Sequence, residues 1–177
     1  MALPTVMFIR HAEKPEKSEK GVTPAGEPDE HSLSVRGWTR AGALAAFFSR
    51  NLSDSPATTP GRVIATKPSA DYKSKREHDT AVPTAHRLGL DIESVNIPGH
   101  YDHLATDIQH AGIPTLVVWH HGSIPSFVSA FPVSNSDDVP NSWPDDRFDV
   151  IWVLMDAGDH YLWHQMEQRL LEGDALD

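Results

Sequence analysis

Cysteine is missing from this 177-residue chain, which removes disulfides, thiolate metal sites and cysteine nucleophiles together. Positive charge is scarce: 15 Lys and Arg face 25 Asp and Glu, a formal net charge of −10. That balance argues against a sequence-independent binder of nucleic acid or anionic membrane, either of which needs a basic surface. Phosphorylated substrates stay open, because a local cluster of arginines and histidines can outweigh the global sign. No apolar run approaches the ~18–20 residues of a membrane span, and no basic-apolar-small leader opens the sequence. The expectation is a soluble protein without a visible address, with the reducing cytoplasm as the default compartment. What is present suits one globular domain over residues 1–177, with 39% hydrophobic residues and five tryptophans. Eleven histidines are many for this length, and compositional bias accounts for most of them.

The chain is organised around Val6-Met7-Phe8-Ile9, an apolar run that predicts a buried strand. It delivers Arg10, His11, Ala12 and Glu13 at the strand's carboxyl end, where open α/β sheets bind ligands. Arg10 offers a planar fork suited to phosphate or carboxylate, and His11 can serve as nucleophile or proton carrier near neutral pH. Residues 14–32 hold almost nothing to bury, which predicts a polar loop that lines or covers the site, or else a solvated insertion. Ser34 caps a helix over residues 35–50 with Trp38, Ala41, Leu44, Ala45 and Phe48 on its apolar face. Val63-Ile64-Ala65 predicts a short strand. A helix follows Ser74, with Ala81, Ala85 and Leu88 on one side, Pro83 in its first turn or at a kink, and Gly89 at its end.

Ile92 to Ile97 predicts an edge strand, Pro98-Gly99 a turn, and Leu104, Ile108 and Ala111 a short helix closed by Gly112. Leu116-Val117-Val118-Trp119 is the second buried strand, and it ends at His120-His121-Gly122-Ser123. Ile124, Phe127, Val128 and Phe131 repeat at helical spacing until Pro132. Residues 132–147 predict a second polar loop, Phe148 to Leu154 a third strand, and Gly158-Asp159 a hairpin turn into Tyr161-Leu162-Trp163. This order predicts an α/β fold: a three-layer αβα sandwich whose mainly parallel central sheet carries an antiparallel edge hairpin.

Four segments stand in a telling order: Arg10-His11-Ala12-Glu13-Lys14-Pro15, Leu33-Ser34-x-x-Gly37-x-x-Arg40-Ala41, Arg76-Glu77-His78-Asp79-Thr80-Ala81, and Leu116 to Gly122. Together they resemble the histidine phosphatase superfamily, the phosphoglycerate-mutase-like enzymes. Within it they are most similar to the small single-domain phosphatases that open with Arg-His-Ala-Glu-Lys-Pro. The likeness covers residues 6–131, and the hairpin at the end resembles that branch too. Departures are Glu77 and Asp79, where alanine and glutamine are usual, and His121, where a smaller residue often stands. The resemblance implies a phosphomonoester hydrolase in which His11 forms a phosphohistidine that water hydrolyses, while Arg10, Arg76 and His120 bind the phosphoryl group. It implies no cofactor and no metal, with a small phosphorylated molecule or a phosphoprotein as substrate. The chain has no insertion large enough to enclose an intermediate for rephosphorylation, which favours phosphatase over mutase.

The physical logic agrees, since charge spread over three phosphoryl oxygens calls for fixed cationic donors and an in-line nucleophile. The amides around Gly122 and Ser123 can add backbone donors. Relatives draw the leaving-group acid from the segment between the second arginine and the second histidine. There Glu93, Asp102 and Asp107 are the candidates, with Asp102 favoured because it follows a turn. His121 is a rival, and a helix cap is the other reading of Asp102. Glu13 invites a metal site with His11, His120 and His121, which the adjacent arginines oppose; its simpler role is to orient Arg10 or pair with Lys14. The alternative function is a catalytically weak phosphoryl-binding or regulatory module of the same fold. Oligomeric state and the identity of the substrate stay open.

Overall fold

The computed structural model describes residues 2–95 and 101–175. In chain order the elements are β1 (Val6–Arg10), β2 (Gly21–Val22), β3 (Pro28–Asp29), α1 (Val35–Phe48), β4 (Arg62–Thr66) and α2 (Arg76–Leu88). They continue with β5 (Ile92–Val95), α3 (Tyr101–Ala111), β6 (Thr115–Trp119), α4 (Ile124–Val128), β7 (Val150–Asp156) and β8 (Tyr161–Glu167). Six strands form one sheet in the order β5-β4-β6-β1-β7-β8. β1, β4, β5 and β6 run parallel, and β7 and β8 add an antiparallel hairpin beside β1. β1 and β6 lie at the centre and are buried along their whole length, which is why both read as unbroken apolar runs.

Alternation along each strand sorts the core into two layers. Met7, Ile9, Val63, Ala65, Leu116 and Val118 face Leu44, Phe47 and Phe48 of α1 and Ala81 and Ala85 of α2. Val6, Phe8, Ile64, Val117 and Trp119 face Ala105 and Ile108 of α3 and Ile124, Phe127 and Val128 of α4. The first two crossovers therefore cover one face and the next two the other. The chain leaving β1 and the chain leaving β6 part to opposite sides, which opens a crevice beyond their carboxyl ends. Arg10 ends β1 and His120 follows β6, so the topology brings them to that crevice.

Several elements differ from expectation. The 14–32 loop contains the small β2–β3 hairpin, pinned where Trp38 Nε1 donates to the Val22 carbonyl at 2.7 Å. Pro83 sits in the middle of α2 rather than in its first turn, and the helix nonetheless runs on to Gly89 at φ 67°. The helix expected after Ile124 is one 3-10 turn at His121–Ser123 followed by five α-helical residues. β7 begins at Val150 rather than Phe148, and just before it the Asp149 side chain binds Arg147 and the Ala175 amide. The expected edge strand is described over Ile92–Val95; its remainder and the Pro98-Gly99 turn lie outside the described residues. The 132–147 loop is anchored by buried Trp143, whose ring lies 4.8 Å from that of Trp152.

Ser34 caps α1 by accepting from the Gly37 amide at 3.0 Å, and its hydroxyl donates to the Glu13 carbonyl at 3.0 Å. A Cβ on Gly37 would overlap that same carbonyl oxygen. Gly37→Ala should therefore cost about 1–3 kcal/mol, read as a lower denaturation midpoint in urea with an unchanged slope.

Candidate functional site

The segment leaving β1 is held on three sides. The Ala12 amide donates to Thr80 Oγ1 at 2.8 Å, and that hydroxyl donates to the Arg76 carbonyl at 2.7 Å, which ties His11 to the first turn of α2. The Glu13 carbonyl accepts from both the amide and the hydroxyl of Ser34. The Glu13 carboxylate meets Arg40 at 2.8 Å and Arg36 at 3.2 Å, a correction to the expectation that it would orient Arg10 or pair with Lys14. Arg40 is itself buried and also reaches Asp174 at 2.7 Å and Gln168 at 2.9 Å, so one guanidinium joins β1's exit, α1 and the C-terminal segment. Burial alone would lower Arg40, but its bonds to Asp174 and Glu13 carry it above the ordinary guanidinium value. The same network holds Asp174 down to about 2 against the opposing effect of its burial.

His11 is buried, with Nδ1 2.7 Å from the Ala12 carbonyl. A carbonyl only accepts, so Nδ1 carries the proton and Nε2 keeps a free lone pair. Burial, with Arg10, Arg76 and His121 around it, lowers the His11 pKa to about 3, and the ring is neutral at any physiological pH. Arg10 is 3% exposed, and burial lowers it to about 10. Its NH1 donates to the Asp145 carbonyl at 2.7 Å, and its guanidinium carbon lies 4.1 Å from the centre of the Phe148 ring. NH2 approaches His121 Nδ1 at 3.4 Å, while Nε is buried with no acceptor among the described residues. Arg76 donates from Nε to the Ser32 carbonyl at 3.1 Å and from NH2 to the Glu30 carbonyl at 2.6 Å.

His120 and His121 follow β6 with ring centres 4.7 Å apart. Tyr72 sets its ring edge-on to His120 at 5.6 Å. Gly122 packs against that ring too, since a Cβ there would stand 3.0 Å from His120 Cε1. The Ser123 amide, expected to be a free donor, is used within the turn by the His120 carbonyl at 2.9 Å. Of the acid candidates, Glu93 and Asp107 both bind Arg62, which opens β4 at the amino edge of the sheet, away from the crevice. Asp102 lies in the first turn of α3, exposed, at the crevice end. The structure thus gathers Arg10, His11, Arg76, His120, His121 and Gly122, and places Glu93 and Asp107 elsewhere.

Solved structures of similar fold include a mycobacterial glucosyl-3-phosphoglycerate phosphatase in complex with VO3, with a TM-score of 0.58, 14% identity and coverage of 92% of this chain and 97% of that one. A protein of Agrobacterium tumefaciens assigned as phosphohistidine phosphatase SixA gives 0.54 at 17% identity, covering 93% and 96%. An Escherichia coli protein assigned as an alpha-ribazole-5'-P phosphatase gives 0.53 at 11% identity, again covering 93% and 96%. The chain has the histidine phosphatase fold. No family model and no curated protein matches its sequence.

Two further groups border the site, Tyr72 with Glu77 on one side and Asp145 on the other. Glu77 is fully buried in α2 and accepts from the Tyr72 hydroxyl at 2.6 Å and the Ser74 hydroxyl at 2.9 Å. Burial and Glu77 raise Tyr72 above its ordinary value, so the phenol stays protonated. The signal was the glutamate itself: a carboxylate on a helix face that packs inward demands nearby donors. Asp145, which binds His121 Nε2 at 3.1 Å, sits in a polar loop where nothing local marked it.

Two outcomes follow from this arrangement. Arg40→Met strands the carboxylates of Glu13 and Asp174 and should cost about 3–5 kcal/mol in equilibrium denaturation. For His11, the folded ring protonates near 3 while the unfolded ring does so near 6.5. The unfolded state then holds more protons between those values, so stability falls as pH drops through that window. His11→Asn should flatten that part of the stability–pH curve.

Proposed function

We propose that the protein is a metal-independent phosphomonoester hydrolase that works through a phosphohistidine on His11. The observation that carries this reading is the state of His11: buried, neutral, its Nδ1 proton committed to the Ala12 carbonyl and its Nε2 lone pair free beside two arginines. Nε2 attacks phosphorus in line with the leaving oxygen. The Nε and NH2 edge of Arg10, with Arg76 and His120, holds the phosphoryl oxygens as their charge redistributes. Gly122 leaves the His120 ring room to approach. Water then attacks the phosphohistidine and releases phosphate. Of the carboxylates expected to protonate the leaving group, Asp102, in the first turn of α3, is the one that stays at the crevice end.

The structural neighbours support the class: they are, by description, phosphatases of a glucosyl phosphoglycerate, a phosphohistidine and a ribazole phosphate. A small phosphorylated molecule or a phosphoprotein is the substrate class we infer. The net charge of −10 supports neither nucleic acid nor membrane as partner. The catalytically weak binding module remains the second reading, and one observation favours it: Arg10 and Arg76 already spend donors on loop carbonyls.

Hydrolysis of p-nitrophenyl phosphate in excess chelator, wild type beside His11→Ala, decides between them. The variant should lose on the order of 10³-fold or more in kcat, as removal of a nucleophile does elsewhere. Acid-labile phosphate trapped on the wild type and absent from the variant would locate the intermediate. Turnover of the variant near wild type would sink the mechanism.

A further inference from the structure

His121 occupies a position that the phosphoryl-binding scheme does not use. Its Nδ1 stands 3.4 Å from Arg10 NH2 and its Nε2 stands 3.1 Å from Asp145 Oδ1. A guanidinium never accepts, so Nδ1 is the acceptor and Nε2–H donates to the carboxylate. The ring meets that of His11 edge-on at 6.2 Å and that of His120 at 4.7 Å. The charged and titratable groups around it are therefore Arg10 from β1, His11 just after it, His120 on its own turn and Asp145 from the 132–147 loop.

Most carboxylates near the crevice are committed. Glu13 serves Arg36 and Arg40, Glu77 is fully buried against two hydroxyls, Asp79 accepts from Ser32, and Asp29 holds Lys75. An imidazole with one nitrogen on the phosphate-binding arginine and the other on a carboxylate is the better placed proton carrier.

We propose that His121 delivers the proton to the leaving group, with Asp145 as its positioning residue; this rests on the phosphatase reading above. In the ligand-free site, burial, Arg10 and His120 keep the ring below its ordinary value. A phosphoryl dianion entering the Arg10 fork replaces Nδ1 as the acceptor and sets negative charge beside the ring, so Nδ1 takes up a proton. The His11 Nε2–phosphorus bond forms as the bond from phosphorus to the leaving oxygen breaks. The Nδ1 proton passes to that oxygen, which departs as a neutral alcohol and leaves His121 neutral. Water next attacks phosphorus, Nδ1 accepts the proton it gives up, and the electron pair of the N–P bond returns to His11. Phosphate then leaves, Nδ1 returns its proton to solvent, and the ring is again the neutral acceptor of Arg10 until the next dianion enters.

A positioned acid matters most for a poor leaving group, so the test compares p-nitrophenyl phosphate with phenyl phosphate, which share shape and differ in leaving ability. The enzymes are wild type, His121→Asn, Asp102→Asn and Asp145→Asn, with kcat/KM followed from pH 5 to 8. The asparagine at 121 can still accept from Arg10 but cannot shuttle a proton. His121→Asn should lose about 10²-fold or more on phenyl phosphate, less than about 10-fold on p-nitrophenyl phosphate, and the alkaline fall of the wild-type profile. Asp145→Asn should keep that fall and move it to lower pH. Equal losses on both substrates would mark His121 as merely structural and overturn the proposal. A loss confined to phenyl phosphate in Asp102→Asn would do the same by giving the role to the carboxylate. If wild type hydrolyses neither ester, the phosphatase reading itself fails first.

Discussion

Burying the guanidinium of Arg40 is the constraint on which the site depends. A cation that is 2% exposed must find its counter-charges inside, and it finds them on Glu13, two residues past His11, and on Asp174, near the end of the described chain. Because each carboxylate belongs to a different part of the chain, satisfying one arginine closes three segments on each other. Asp174 Oδ2 also accepts from the Leu170 and Leu171 amides, so the tail it brings is ordered by an oxygen that also meets Arg40. The ion pairs need not add net stability to have this effect, since what they exclude is any arrangement in which Glu13 moves away.

That rigidity is what lets His11 sit among cations. Arg10, Arg76 and His121 all disfavour a charged His11, and a flexible ring would turn away or take a different tautomer. The Ala12 carbonyl holds Nδ1 and Thr80 holds the Ala12 amide, so the neutral form with a free Nε2 is the one the surroundings permit. The cations that keep the ring neutral are the same groups that the proposed reaction turns on a phosphoryl dianion. The buried Arg10 Nε has no acceptor among the described residues, so one donor of that guanidinium is left uncommitted.

How much of this was legible varied with the range of the interaction. β1 and β6 announced themselves because burial on both faces demands an unbroken apolar run, and their polar ends marked the crevice. α1 was legible from its spacing, yet Arg40 was not read as buried although it shares the face of Gly37, Ala41 and Leu44. An arginine on an apolar stripe carries information only when its partners are known, and Asp174 lies 134 residues away. The 132–147 loop looked like surface because its aspartates are exposed. Its role comes from backbone carbonyls, which have no sequence signature, and from Trp143, which packs a loop that composition alone would leave in solvent. Glu93 and Asp107 were plausible acids by position in the chain, and only strand direction shows that they sit at the wrong edge.

The distribution of carboxylates then bears on the chemistry. Several acidic side chains around the crevice are drawn to arginines or hydroxyls that order the scaffold, and ionised, paired carboxylates are poor proton donors near neutral pH. A site that spends its acids on architecture has to carry protons on something else. Imidazole suits that task, because a nearby dianion can move it from acceptor to donor within the range where an enzyme works. The His121 side chain is joined at once to Arg10, the proposed phosphoryl-binding arginine, and to a carboxylate that can hold its positive form. Those two contacts are the ones a proton carrier needs, and packing alone would need neither.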